Sequence, residues 1–216
     1  MVWFRHGGDR LIAQLSRTIS SLFIARGIIP EDDKEVYVYS FEILLSTLMN
    51  LLVLVFLSLV TRTGPETALY LLGFLPLRLI AGGYHARSHF RCFLILLFSY
   101  TAFLLLICFL PISLLLPCII ISFLVSVVLV FAFAPSEDDN KPLSNEEINL
   151  FKRRSRLCIA GYAAIICLLS VFIDDMRFAF SIAIGIFTVA MSLLVNFIKN
   201  ENSKNKKSCC MQKGVN

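Results

Sequence analysis

Between residues 37 and 198 the chain alternates long apolar runs with short charged or proline-bearing breaks, and that alternation constrains the fold more than any other feature. A bilayer-crossing helix needs about 20 mainly apolar residues, or about 17 at the short end. On that ruler six segments qualify: 37–60, 66–81, 92–110, 112–134, 157–173 and 178–198. A chain of 216 residues with 57% hydrophobic and only 16% charged residues agrees with a lipid solvent. The expected class is all-α: a polytopic integral membrane protein of about six transmembrane helices. The second segment is short, carries Gly73 and Pro76 and runs into Arg78, so a tilted, broken or re-entrant element is expected there. Pro111 separates the third and fourth segments, and "IDDMRF" the last two, each as a tight turn.

Basic residues give the expected threading, because cytoplasmic flanks accumulate Lys and Arg. With the N-terminus inside and six spans, all of the 20 Lys and Arg except Arg62 and Arg177 fall on the cytoplasmic side. Skipping a span throws the basic 141–156 loop or the basic tail to the wrong side. The sequence therefore predicts a multi-pass protein of the cell membrane, with both termini and the 82–91 loop cytoplasmic. Residues 9–26 place Leu11, Ile12, Leu15, Ile19, Leu22 and Phe23 at helical spacing, which predicts an amphipathic helix on the inner membrane face. The resulting division is an N-terminal amphipathic segment 1–35, a helical membrane domain 36–199 and a basic, disordered tail 200–216.

Residues 1–35 hold several arginines and a Glu31-Asp32-Asp33 cluster, without the sustained apolar core of a secretory signal, so insertion is expected to depend on a retained helix. Cys108, Cys118, Cys158 and Cys167 sit inside apolar runs, where a thiol acts as a small hydrophobe. Cys209 and Cys210 lie too far from the C-terminus for a prenylation box. The basic runs read as topology determinants and contacts to anionic lipid, with no nucleic-acid partner.

One stretch stands apart: "RLIAGGYHARSHFRCF", residues 78–93, crowds three arginines, two histidines, a glycine pair and a cysteine together. Gly82-Gly83 after a Pro-containing segment permits positive φ, so the chain is expected to leave the helix there. Charge at such a membrane border is a functional candidate by default. A thiol beside imidazole and guanidinium groups ionises more easily, and the thiolate is the attacking species; Arg87 and Arg91 favour that at Cys92. Alternatively His85, His89 and Cys92, at i, i+4 and i+7, offer three zinc-type ligands on one helix face. A plain basic loop is the third reading. Within a single helix His85 and Cys92 are separated by about 10 Å along the axis, so His89 is then the nearer imidazole. On these grounds the base stays unassigned.

The stretch "PLRLIAGGYHARSHFRC" resembles the motif of the AgrB family, the accessory gene regulator B membrane cysteine peptidases of Gram-positive bacteria. The family's arginine falls on Arg78, its glycine on Gly83, its catalytic histidine on His85 and its nucleophilic cysteine on Cys92, with the His-to-Cys interval intact. The likeness extends to the polytopic architecture, the amphipathic N-terminus and the "APSEDDNKPLSNEE" loop, although only 76–92 is motif-specific. It implies a cysteine endopeptidase that needs no cofactor or metal. Its expected substrate is a small amphipathic quorum-sensing propeptide of the AgrD kind, met at the cytoplasmic face of the lipid bilayer. The enzyme removes the propeptide's C-terminal tail and, through an acyl-enzyme thioester, closes a thiolactone or lactone ring. A homodimer is implied by the resemblance alone.

Supporting roles fall to Arg78, a match for carboxylate geometry in the substrate or nearby, and to Gly83 for backbone shape. Glu42 and Asn50, two turns apart on the first span, are candidates to orient His85 or to make an inter-helix hydrogen bond. His89 is a candidate supporting group. Lys141, with the 152–156 basic cluster, is a candidate contact for the propeptide's acidic tail. The competing function is a non-enzymatic membrane transporter or assembly protein whose 78–92 loop binds metal or peptide. An inverted-repeat transporter predicts matching broken segments in its two halves, and only one such segment is evident.

Overall fold

The computed structural model describes residues 7–82, 89–136 and 145–213, with side chains described for 11–82, 93–136, 146–199 and 201. Among the described residues the chain is all-helical: α1 (Gly7–Ala25), a short 3-10 turn at Glu31–Asp33, α2 (Lys34–Thr61), α3 (Gly64–Ala81), α4 (His89–Phe109), α5 (Ile112–Phe133), α6 (Asn145–Phe172) and α7 (Met176–Lys213). Each of the six apolar segments is therefore helical. Four helices, α2, α5, α6 and α7, are long and apolar enough to cross a membrane, and they mark the chain as a membrane protein. The six-span count is not established. α3 has only 18 residues, with Glu66 in its first turn and Arg78 in its last.

The chain forms two compact units, one of 1–62 and 86–102, the other of 63–85 and 103–216. In the first, α1 packs on α2. Among the described residues of α1 the buried ones are Ala13, Ser16 and Ser20, a small-residue stripe at helical spacing, while Leu11, Leu15 and Leu22 are exposed. Small side chains allow close helix approach, and the leucine ridge of the amphipathic pattern faces away from α2. The rings of Phe23 and Phe41 lie 5.7 Å apart and add an aromatic contact at the end of the pair.

The second unit is built around α7, which packs on α3, α5 and α6. Its inward positions, among them Ala179, Ala183, Ile186 and Ala190, are almost wholly buried. Two glycines set the closeness of α3 and α7. A β-carbon on Gly73 would stand 2.6 Å from the carbonyl oxygen of Ile182, and one on Gly185 would collide with the carbonyl oxygen of Tyr70. Tyr70 itself is fully buried, stacks on Phe103 at 4.7 Å between centroids and donates its hydroxyl proton to Thr188 at 3.3 Å. α5 turns Ser122 and Ser126 inward and Ile121, Leu124 and Val128 outward, the arrangement expected where lipid rather than water surrounds the bundle.

α3 is continuous through Pro76, so the broken element suggested by the sequence is a whole helix. A proline inside a helix removes the donor to the carbonyl four residues earlier, here that of Leu72. The Tyr162 hydroxyl on α6 takes its place, donating to the Leu72 carbonyl oxygen at 2.6 Å. Lipid offers no substitute donor, so this tyrosine is what makes the proline tolerable at depth. At the other end of the sequence, α7 continues through 200–213, where a disordered tail was expected. Those residues contain no Pro or Gly to stop the helix before Gly214. Cys108 and Cys167 are exposed on helix surfaces and Cys118 and Cys158 half-buried, so these thiols are surface or boundary residues rather than interior packing.

Overpacking the α3–α7 contact should be costly. Gly73→Leu is expected to lower unfolding free energy by about 1–3 kcal/mol, whereas Gly161→Leu, where an added β-carbon meets nothing within 4 Å, should leave it unchanged. Reversible denaturation in bicelles reads both variants.

Candidate functional site

The 78–92 motif starts on the last turn of α3 and ends in the first turn of α4, where Cys92 follows His89 by three residues. Gly83, His85, Arg87 and Lys141 lie outside the described residues, and so do the side chains of His89, Arg91 and Cys92. Glu42 and Asn50 lie on α2, both half-buried. Among the described residues no group of three His, Cys, Asp or Glu side chains is placed to hold a metal, and the His85, His89 and Cys92 set lies outside that search.

The described edge of the site is the point where the chain leaves α3. Arg78 donates from one guanidinium nitrogen to the carbonyl oxygen of Gly82 at 3.3 Å and to the hydroxyl of Ser192 on α7 at 2.9 Å. Ser192 in turn donates to the Val189 carbonyl, which aims its free lone pairs at the arginine. Gly82 donates its N–H to the Arg78 carbonyl at 3.2 Å and has φ +75° and ψ −143°, a backbone state that favours glycine. A β-carbon there would stand 2.8 Å from the carbonyl oxygen of Ser136.

Ser136, just beyond α5, makes the matching contacts from the other side. Its N–H donates to the carbonyl oxygen of Ala81 at 3.0 Å, one of the carbonyls left without a helical donor where α3 ends. The buried amide of Asn196 on α7 donates to the Ser136 hydroxyl through a short hydrogen bond. The rings of Phe133 and Phe197 also join the end of α5 to α7, tilted at 35° with centroids 4.6 Å apart. The C-terminal end of α3, the end of α5 and the Ser192–Asn196 turn of α7 therefore meet at one end of the unit.

The N-terminal part of α6 lies at the same end. The Arg156 guanidinium carbon sits 4.9 Å from the centroid of the Phe131 ring, a cation–π contact that fixes α6 against the end of α5. Next to it opens a cleft lined by Asn149, Lys152, Arg153, Arg156 and Leu157. Three cations around one opening suit an anion, and Leu157 supplies the apolar part of the lining.

Sequence reasoning anticipated the positive φ at the glycine pair and singled out Arg78. It passed over Ser136, Ser192 and Asn196. A signal existed for Asn196, a lone amide in the apolar run 178–198, as polar residues within membrane helices usually have a buried partner. Ser136 carried none, since its contacts arise from the meeting of helix ends distant in the chain.

A family model described as AgrB, accessory gene regulator B, matches residues 12–198. No curated protein and no solved structure matches the chain.

Hydrogen exchange on the protein in nanodiscs should find the Ser136 amide protected, as its bond to the Ala81 carbonyl requires. Gly82→Ala should raise its exchange rate at least tenfold. Unchanged protection in the variant would contradict the packing of Gly82 against Ser136.

Proposed function

Because the chain belongs to the accessory gene regulator B family, whose role is autoinducer processing in quorum sensing, we propose that it is a membrane cysteine endopeptidase acting on a propeptide. The observation that carries this reading is the family match over 12–198 together with Arg78, Gly83, His85 and Cys92 at the motif's own spacing. Six spans, cytoplasmic termini and a cytoplasmic site complete the proposal, supported by the distribution of basic residues.

In this mechanism His85 takes the proton from the Cys92 thiol and the thiolate attacks the scissile carbonyl. The tetrahedral intermediate collapses with cleavage of the C–N bond. The departing amine of the C-terminal tail takes the proton from His85, leaving the N-terminal part of the propeptide as a thioester on Cys92. An internal Cys or Ser of the propeptide then attacks the thioester carbonyl, closes the thiolactone or lactone, and returns the proton to the Cys92 thiol through His85. The thioester retains acyl-transfer potential, which makes the ring closure feasible provided water is excluded. A location at the lipid border serves that exclusion.

The rest of the chain has supporting tasks. The Arg78 guanidinium, held by Ser192 and the Gly82 carbonyl, shapes the entry into the motif. The cationic cleft on α6, with Lys141 in the preceding loop, receives the acidic tail of the propeptide. Glu42 or Asn50 orients His85, and His89 plays a secondary part. The amphipathic α1 lies on the membrane surface that the propeptide shares.

Co-expression with a propeptide encoded beside the gene, read by mass spectrometry of both fragments, tests the assignment. Cys92→Ala and His85→Ala should each reduce processing at least 100-fold, with His89→Ala losing less than tenfold. Processing that survives in either of the first two variants would overturn it.

A further inference from the structure

The exit from α3 is tied to α7 twice, by routes that share no side chain. On one route Ser192 holds Arg78, and Arg78 holds the carbonyl of Gly82. On the other Asn196 holds the Ser136 hydroxyl, and the Ser136 N–H holds the carbonyl of Ala81. Gly82 sits between the two ties, in a left-handed conformation with no room for a side chain. Both ends of the Ala81–Gly82 step are thus fixed by α7, the most buried helix of its unit. His85 follows three residues later in the chain.

We propose that Asn196 and Ser136 are positioning residues for the motif loop, acting through the Ala81 carbonyl to set where the chain sets out toward His85. The inference rests on the peptidase reading above. Asn196 is 6% exposed, and its amide needs a partner wherever it is buried away from water. The partner it has is the residue whose backbone closes the end of α3. Such an arrangement suits a base that must reach a thiol within hydrogen-bond distance, because a displacement of about 1 Å at a reacting group costs on the order of 100-fold in rate. Fixing the loop at its root, from a rigid helix, limits that displacement.

The direct test uses the full chain in liposomes containing anionic lipid, with iodoacetamide as probe. Alkylation of Cys92 is followed by mass spectrometry from pH 6 to 9, relative to Cys209 and Cys210 of the same molecule. Asn196→Ala and Ser136→Ala should each slow Cys92 about tenfold at pH 7 and move the midpoint of its pH profile upward. The double variant should be no slower than the single ones, since both remove the same tie. Ser136→Thr, which keeps the hydroxyl acceptor, should restore the wild-type profile, an outcome that general loss of folding does not produce. His85→Ala reports separately on the reading beneath the proposal. If His85→Ala slows Cys92 while Asn196→Ala and Ser136→Ala leave its rate and midpoint unchanged, the positioning role is overturned and the peptidase reading stands. If His85→Ala has no effect, the reading itself fails and the positioning role falls with it.

Discussion

A backbone carbonyl inside a bilayer has no water to turn to, and in the second unit three carbonyls in and just after α3 take their donors from elsewhere in the chain. Pro76 frees the Leu72 carbonyl, and Tyr162 reaches across from α6 to bond it. The end of α3 frees those of Ala81 and Gly82, and Ser136 and Arg78 take one each. Every one of these donors comes from a neighbouring helix, a helix connection or a long side chain anchored on α7. Satisfying the backbone therefore locks the helices to one another.

Close packing makes those bonds reachable. Gly73 and Gly185 let α3 and α7 meet backbone to backbone, and the buried alanines of α7 keep its other faces narrow. In lipid there is little hydrophobic gain from pressing apolar side chains together, so contact between small residues and inter-helix hydrogen bonds carry the association. The same contacts bring the ends of α3, α5 and α7 together beside the cationic start of α6. A motif that leaves α3 at Gly82 starts from that junction, which links the packing of the bundle to the chemistry proposed for the loop.

Much of this was legible from residue pattern. Apolar runs of bilayer length marked six helices, but α6 begins twelve residues before its run and α7 continues fifteen residues past its own, because polar residues without Pro or Gly extend a helix as readily as apolar ones. The glycine pair announced a departure from helical backbone, and Gly82 has the positive φ that such a pair permits. Pattern was less informative where partners decide. Pro76 suggested a break, and only the distant Tyr162 explains why none occurs. The amphipathic α1 was legible as a helix, yet the face it buries is the stripe of Ala13, Ser16 and Ser20, while Leu11, Leu15 and Leu22 of the leucine ridge are exposed. Ser136 and Ser192 look like ordinary loop and helix residues until residues 60 and 114 positions away, Asn196 and Arg78, are placed against them.

The central claim is that Cys92 carries the peptide as a thioester between cleavage and ring closure. Intact-mass spectrometry of the membrane-reconstituted protein, quenched in acid during turnover with a propeptide substrate, tests it most directly. The account predicts a species heavier by the N-terminal propeptide fragment, mapped to Cys92, released by neutral hydroxylamine and missing in Cys92→Ala. Turnover that proceeds with no such adduct, or an adduct mapped to another residue, would contradict it.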